Sequence, residues 1–172
     1  DKILIRGATC ALGYAAIQIA KNFGTKVIAT THKKEKFSLL DEADEKILDD
    51  GELFGKIICD KVLDLVGAKN LLDSLKIVKP SENAFVCCSG ILGGEYFLKN
   101  FDAIKNIPNG VYLTGFFSNN PTQEVIDKIF DFIEAKKITP RVGKVFEFKN
   151  LRDALIAQDY GKVNGKIVVK VC

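Results

Sequence analysis

Two rhythms of apolar and polar positions alternate along the chain. Lys2–Arg6 is a short β-rich run that stops at Gly7. Apolar residues then fall at Leu12, Ala15, Ala16, Ile19, Ala20 and Phe23, the spacing of one helix face. Gly24 stands where a glycine commonly ends a helix. The pattern next predicts strands at Lys26–Thr30 and Lys46–Leu48, with a short helix at Glu35–Leu40 between them and a turn at Asp49-Asp50-Gly51. Further strands are expected at Lys61–Val66, Ala84–Ser89 and Val111–Thr114, each closed by a glycine (Gly67, Gly90, Gly115). A helix over Ala68–Val78 is expected to stop at Pro80. Asn120-Pro121 reads as an N-cap followed by proline in the first helical position, with Gln123 completing a capping box. That helix runs to about Lys136, with Val125, Ile126, Ile129, Phe130 and Ile133 on one face.

Short strands alternating with helices imply right-handed β-α-β units and a parallel sheet. Six strands in this rhythm point to an α/β, doubly wound nucleotide-binding fold. The rhythm breaks near residue 139. Strands at Val145–Phe148 and Lys166–Val171 flank a helix near Leu151–Tyr160, and they either extend the sheet or belong to another domain. The chain is therefore expected to divide into 1–138 and 139–172.

With 172 residues the chain is one domain-sized unit able to bury a full core. A formal net charge of +3, without a concentrated basic stretch, gives no footprint for nucleic acid. No run approaches the ~20 apolar residues that span a bilayer. Of the five cysteines, none forms a C-x-x-C pair, and His32 is the sole histidine, so no metal site is expected. Cysteines set in apolar runs suit reduced, buried thiols in the cytosol.

The first strand-to-helix turn reads Gly7-Ala8-Thr9-Cys10-Ala11-Leu12-Gly13. A dinucleotide site needs a tight turn here and backbone N–H groups aimed at the pyrophosphate from the helix N-terminus. The G-x-G-x-x-G pattern falls on Ala8, Cys10 and Gly13, so only its last glycine is kept. NAD sites place an acid at the end of the second strand to hold the ribose hydroxyls. This chain has Thr30-Thr31-His32 there, followed by Lys33, Lys34 and Lys36. Hydroxyl and ammonium groups suit a 2′-phosphate, which favours NADP(H) over NAD(H). His32 itself reads as a surface residue.

Taken together, the runs Ile3–Lys21, Val27–Thr31, Ala43-Asp44 with Ile47-Leu48-Asp49, Val62–Gly67, Ser89–Gly94 and Gly165–Val169 resemble zinc-free, quinone-oxidoreductase-like medium-chain dehydrogenases/reductases. Cys10 departs from the family's usual glycine or serine, Glu42 from its glycine, and Pro80-Ser81-Glu82-Asn83 from its tighter turn. The resemblance implies a Rossmann fold in which Thr9, Cys10, Ala11, Leu12 and Gly13 cradle the pyrophosphate. It gives Thr30, Lys33 and Lys36 the 2′-phosphate, and sets Leu65, Val66 and Gly67 beside the adenosine ribose. Gly90, Ile91 and Leu92 would lie along the nicotinamide, with Phe116, Phe117 and Ser118 closing over that end. It also implies a GroES-like catalytic domain outside this chain, to which residues 139–172 would return, and a homodimer formed through the sixth strand, Val111 to Phe117.

Hydride chemistry would come from the cofactor. The Tyr-x-x-x-Lys motif of short-chain reductases is absent and no catalytic acid or base stands out, so this chain alone is expected to bind cofactor without turning over a quinone, enone or carbonyl substrate. Two alternatives stay open: a non-catalytic NADP(H)-sensing module, and an S-adenosylmethionine-dependent methyltransferase-like protein.

Overall fold

The six expected strands join one parallel sheet in the order β3-β2-β1-β4-β5-β6. They are β1 (Lys2–Arg6), β2 (Lys26–Thr31), β3 (Glu45–Leu48), β4 (Lys61–Asp64), β5 (Phe85–Cys88) and β6 (Tyr112–Gly115). This is a computed structural model, and it describes residues 1–161 and 163–171. Cys172, one of the cysteines expected to be a buried thiol, lies outside the described residues.

The strand order reverses between β1 and β4, which pair in parallel with Arg6 opposite Asp64. A doubly wound sheet opens its ligand crevice beyond the strand ends at such a point. Side-chain alternation builds a core on each face of the sheet. Leu4, Ile28, Val62 and Val86 pack on one side with Leu71 and Leu75 of helix α2 (Leu71–Lys76); Ile5, Val27, Ala29 and Leu65 pack on the other with Ile17 of helix α1 (Ala11–Asn22).

Helix α1 buries Gly13, Ile17 and Gln18, while Leu12, Ile19 and Phe23 of the expected stripe stay exposed. The helix is apolar on more than one side. Its outer side lines two open apolar clefts, one with Ile3 and Leu63, the other with Ile129 and Phe132.

Several boundaries move for identifiable reasons. β4 ends at Asp64, because its carboxylate turns back to accept the N–H groups of Val66 and Gly67 at 2.8 and 2.9 Å. The helix expected over 68–78 shrinks to α2. Gly67–Asn70 forms a turn before it, and Val78 leaves it to bridge Cys59. The short helix after β2 is a 3-10 helix, Lys34–Leu40. A one-turn helix not expected from the sequence, α3 (Ala103–Asn106), is capped by Asp102, which accepts from Ile104 and Lys105 N–H.

The N-cap of α4 (Gln123–Ala135) is Thr122, not Asn120. Its hydroxyl accepts from Val125 N–H, whereas Asn120 sits at φ +36°. Gln123 bonds forward to Asp127 rather than back in a capping box. None of the α4 side chains is buried; the helix meets α1 through Phe132 stacked on Phe23.

Residues beyond 139 do not extend the main sheet. β7 (Val142–Glu147), α5 (Leu151–Asp159) and β8 (Lys166–Lys170) form a separate parallel β-α-β unit, so the two strands pair with each other. The crossover is tied to α1. Gln18 Nε2 donates to the Thr139 carbonyl and Gln18 Oε1 accepts from Thr139 N–H, each at 2.9 Å. The Arg141 guanidinium lies 4.1 Å from the Tyr14 ring centre.

Candidate functional site

The first turn is held by the strand beside it. Gly7 N–H donates to Thr30 Oγ1 at 3.1 Å and Ala8 N–H to the Thr30 carbonyl at 2.9 Å. Gly7 takes φ +78°, open to glycine at little cost. A side chain at Gly13 would place its Cβ 2.5 Å from the Ala8 backbone, so the glycine lets α1 start directly against the turn. Cys10 is the N-cap, its Sγ accepting from Gly13 N–H at 3.3 Å. The thiol thus fills the place where a hydroxyl usually caps.

Above this turn lies a cleft of about 830 Å³. Thr9, Cys10 and Ala11 line it at the helix N-terminus, Val66 and Leu92 beside the turn, and Lys36 beyond the end of β2. These expected site residues therefore come together. Gly13, Leu65, Gly67 and Gly90 are not among the lining residues. Gly67 and Gly90 serve the crossing of two strand ends: a Cβ on Gly67 would stand 2.4 Å from the Gly90 carbonyl, and one on Gly90 2.1 Å from the Leu65 carbonyl.

Other expected residues lie off the cleft. Leu12 faces the apolar cleft on the far side of α1. Lys33, Ile91, Phe116, Phe117 and Ser118 are not on the wall, and Phe117 is 83% exposed. Thr30, by contrast, lines the cleft. It is fully buried, and its hydroxyl accepts from Gly7 and donates to Asp49 Oδ2 at 3.3 Å. It shapes the turn, and its one hydroxyl proton is directed to Asp49. His32 is exposed, as expected of a surface residue, and it also lines the cleft.

A buried group beneath the floor of the cleft was not foreseen from the sequence. Arg6 ends β1 with no exposed surface. Its Nε and Nη2 donate to Asp49 Oδ2 and Oδ1 at 2.8 and 3.0 Å. Nη1 donates to Asp73 Oδ2 at 2.7 Å and Ser74 Oγ at 3.0 Å, and Ser74 donates to Asp64 at 2.6 Å. Burial works against the arginine's charge, but Asp49 and then Asp73 outweigh it and hold its pKa above the usual value. One guanidinium thus ties the ends of β1, β3 and β4 to α2. The only hint in the sequence is an arginine closing an apolar strand.

The second unforeseen group belongs to the C-terminal unit. Gln158, Gly161, Asn164, Gly165, Lys166 and Ile167 line the cleft opposite the turn. Charge on the wall is one-sided. Asp49 is bound by Arg6 and Asp50 by Lys56 at 2.7 Å, whereas Lys36, Lys69 and Lys166 make no ion pair among the described residues.

A family model described as zinc-binding dehydrogenase matches residues 42–169. The chain belongs to this family. The zinc-binding dehydrogenases include relatives of the quinone oxidoreductase-like, medium-chain type that the sequence resembles. The mitochondrial NAD(P)H oxidoreductase RTN4IP1 of Danio rerio is 26% identical, over 99% of this chain and 49% of its own length. The chain therefore spans about half the length of that relative. Among solved structures, yhfP of Bacillus subtilis with NAD bound superposes with a TM-score of 0.79 at 22% identity, covering 99% of this chain and 54% of that one. The quinone oxidoreductase of Thermus thermophilus, described also in its complex with NADPH, gives 0.76 at 23%, covering 99% and 58%. These likenesses establish the Rossmann fold.

Among the described residues, no three His, Cys, Asp or Glu side chains converge to hold a metal. A dinucleotide does fit the residues present: a cleft of suitable size, a helix N-terminus at its floor and three ammonium groups on its wall.

Proposed function

We propose that this chain is the NADP(H)-binding part of an oxidoreductase acting on quinones, enones or related carbonyls. The observation that carries the reading is the charge of the cleft: both acids on its wall are neutralised, while Lys36, Lys69 and Lys166 have no ion-pair partner among the described residues. A pyrophosphate and a 2′-phosphate together are polyanionic, so such a wall favours NADP(H) over NAD(H). The names of the relatives support a nicotinamide cofactor; the preference for the 2′-phosphate rests on the charges.

In this reading Thr9, Cys10 and Ala11 present the α1 N-terminus to the pyrophosphate, with Gly13 packed behind them. Lys36 and His32 receive the 2′-phosphate. Val66 lies beside the ribose and Leu92 along the nicotinamide. When bound, the nicotinamide supplies hydride transfer. The chain orients it and keeps one side of it dry.

Calorimetric titration with NADPH, NADH and S-adenosylmethionine tests this. NADPH is expected to bind at least roughly tenfold more tightly than NADH, with Lys36→Ala removing most of that difference and Lys33→Ala little of it. Equal affinities, or tight S-adenosylmethionine binding, would contradict the reading. The chain by itself is expected to give no quinone-dependent oxidation of NADPH above background. We further propose that β6 pairs edge to edge in a homodimer through Val111–Phe117. Light scattering should then show a dimer that Gly115→Pro converts to monomer, since the Tyr112 and Phe116 N–H groups donate to β5 and alternation turns the Gly115 N–H to the open edge.

A further inference from the structure

An acid does stand near the ribose end of the cleft, although β2 itself ends without one. Leu48 pairs with Thr31, and Asp49 follows it, its N–H donating to the Thr31 carbonyl at 2.9 Å. The third strand thus brings a carboxylate to the cleft wall close to the place where an NAD site holds its acid. A free carboxylate there would accept the ribose hydroxyls and repel a 2′-phosphate.

Asp49 is not free. A carboxylate offers about four acceptor positions. Oδ1 accepts from Arg6 Nη2 and from Gly51 N–H, each at 3.0 Å. Oδ2 accepts from Arg6 Nε at 2.8 Å and from Thr30 Oγ1 at 3.3 Å. All four positions are filled from within the protein, and the two strongest donors carry the charge that cancels its own. Arg6 has no exposed surface, so it does this from behind the wall. The other wall acid, Asp50, accepts from Lys56.

We propose that Arg6 is a specificity-determining residue: by saturating Asp49 it withdraws the acid that would select NAD(H), and so sets the preference for NADP(H). The inference rests on the NADP(H) reading of the cleft. Arg6 acts through Asp49 and touches no cofactor, so it is a positioning residue. A purely structural arginine would affect both cofactors equally. A specificity residue changes their ratio.

The test is the ratio of NADH to NADPH dissociation constants, measured by calorimetry on the 172-residue chain. Wild type is measured first: a ratio near one or below overturns the NADP(H) reading itself. Given a wild-type preference for NADPH, Arg6→Met should lower the ratio at least roughly tenfold, because an uncompensated charge then faces the 2′-phosphate. The double variant Arg6→Met/Asp49→Leu, which removes both charges, should restore it. An unchanged ratio in folded Arg6→Met overturns the inference alone. Should Arg6→Met not fold, Asp49→Asn decides. NADH affinity is expected to hold within about twofold, since the carboxylate has no acceptor site left for ribose. A tenfold loss of NADH affinity would show Asp49 clamping the ribose and overturn the inference.

Discussion

Single residues here are fixed by contacts far along the chain. Gly90 leaves no space for a methyl group, the Leu65 carbonyl lying 2.1 Å from where its Cβ would stand. Gly90→Ala is therefore expected to cost at least ~2 kcal/mol in urea unfolding, through forced backbone shifts. A cost below half that would mean that the crossing of the strand ends is slack. Burial pushes the Cys59 thiol up to about 12. It should stay unreactive toward an aromatic disulfide at pH 8 until the protein unfolds, while the half-buried Cys10 reacts in the native state. The turn from Gly7 to Gly13 was legible because its chemistry is local. Arg6 was not, because its partners Asp49 and Asp73 stand 43 and 67 residues away. Thr30 was placed at the right strand end, but a sequence does not say which way a hydroxyl points, and this one points into the turn.

At the scale of elements, periodicity located the strands well and the helices unevenly. α2 lost both ends to a Gly67–Asn70 turn and to the Cys59–Val78 bridge, which are tertiary features invisible to a local pattern. α4 kept its apolar face but does not bury it. The two helices α1 and α4 should therefore respond differently to truncation of a side chain. Ile17→Ala in α1, fully buried, is expected to cost ~2–4 kcal/mol, and Ile129→Ala in α4, half exposed, less than ~1. Equal losses by chemical denaturation would show that α4 is as tightly packed as α1. The contact between α1 and β2 carries a pH dependence. Lys21, and then the Val27 N–H, hold the Asp44 carboxyl below its usual 3.8. Its contribution to stability is complete above that value and is lost as pH falls through the lower native pKa. Asp44→Asn should thus destabilise at pH 7, with the difference from wild type fading at strongly acidic pH in thermal melts.

At the scale of the whole molecule, the doubly wound order follows from the alternation of elements and the handedness of their crossovers. The break near residue 139 was also legible, whereas the destination of the C-terminal residues was not. β7, α5 and β8 close on one another and bring Asn164–Ile167 to the cleft wall. Long-range bonds from Gln18 to Thr139 set that placement, and neither partner carries a local signature. The cleft is consequently built from both parts of the chain, with the α1 N-terminus on one side and Lys166 on the other.

In the proposed reading the cleft holds NADP(H) with its 2′-phosphate at Lys36. A crystal structure of the chain soaked with NADPH tests it most directly. Density is expected for the pyrophosphate against Thr9–Ala11 and for the 2′-phosphate within hydrogen-bonding reach of Lys36. Cofactor density elsewhere, or a 2′-phosphate turned away from Lys36 toward solvent, would contradict it.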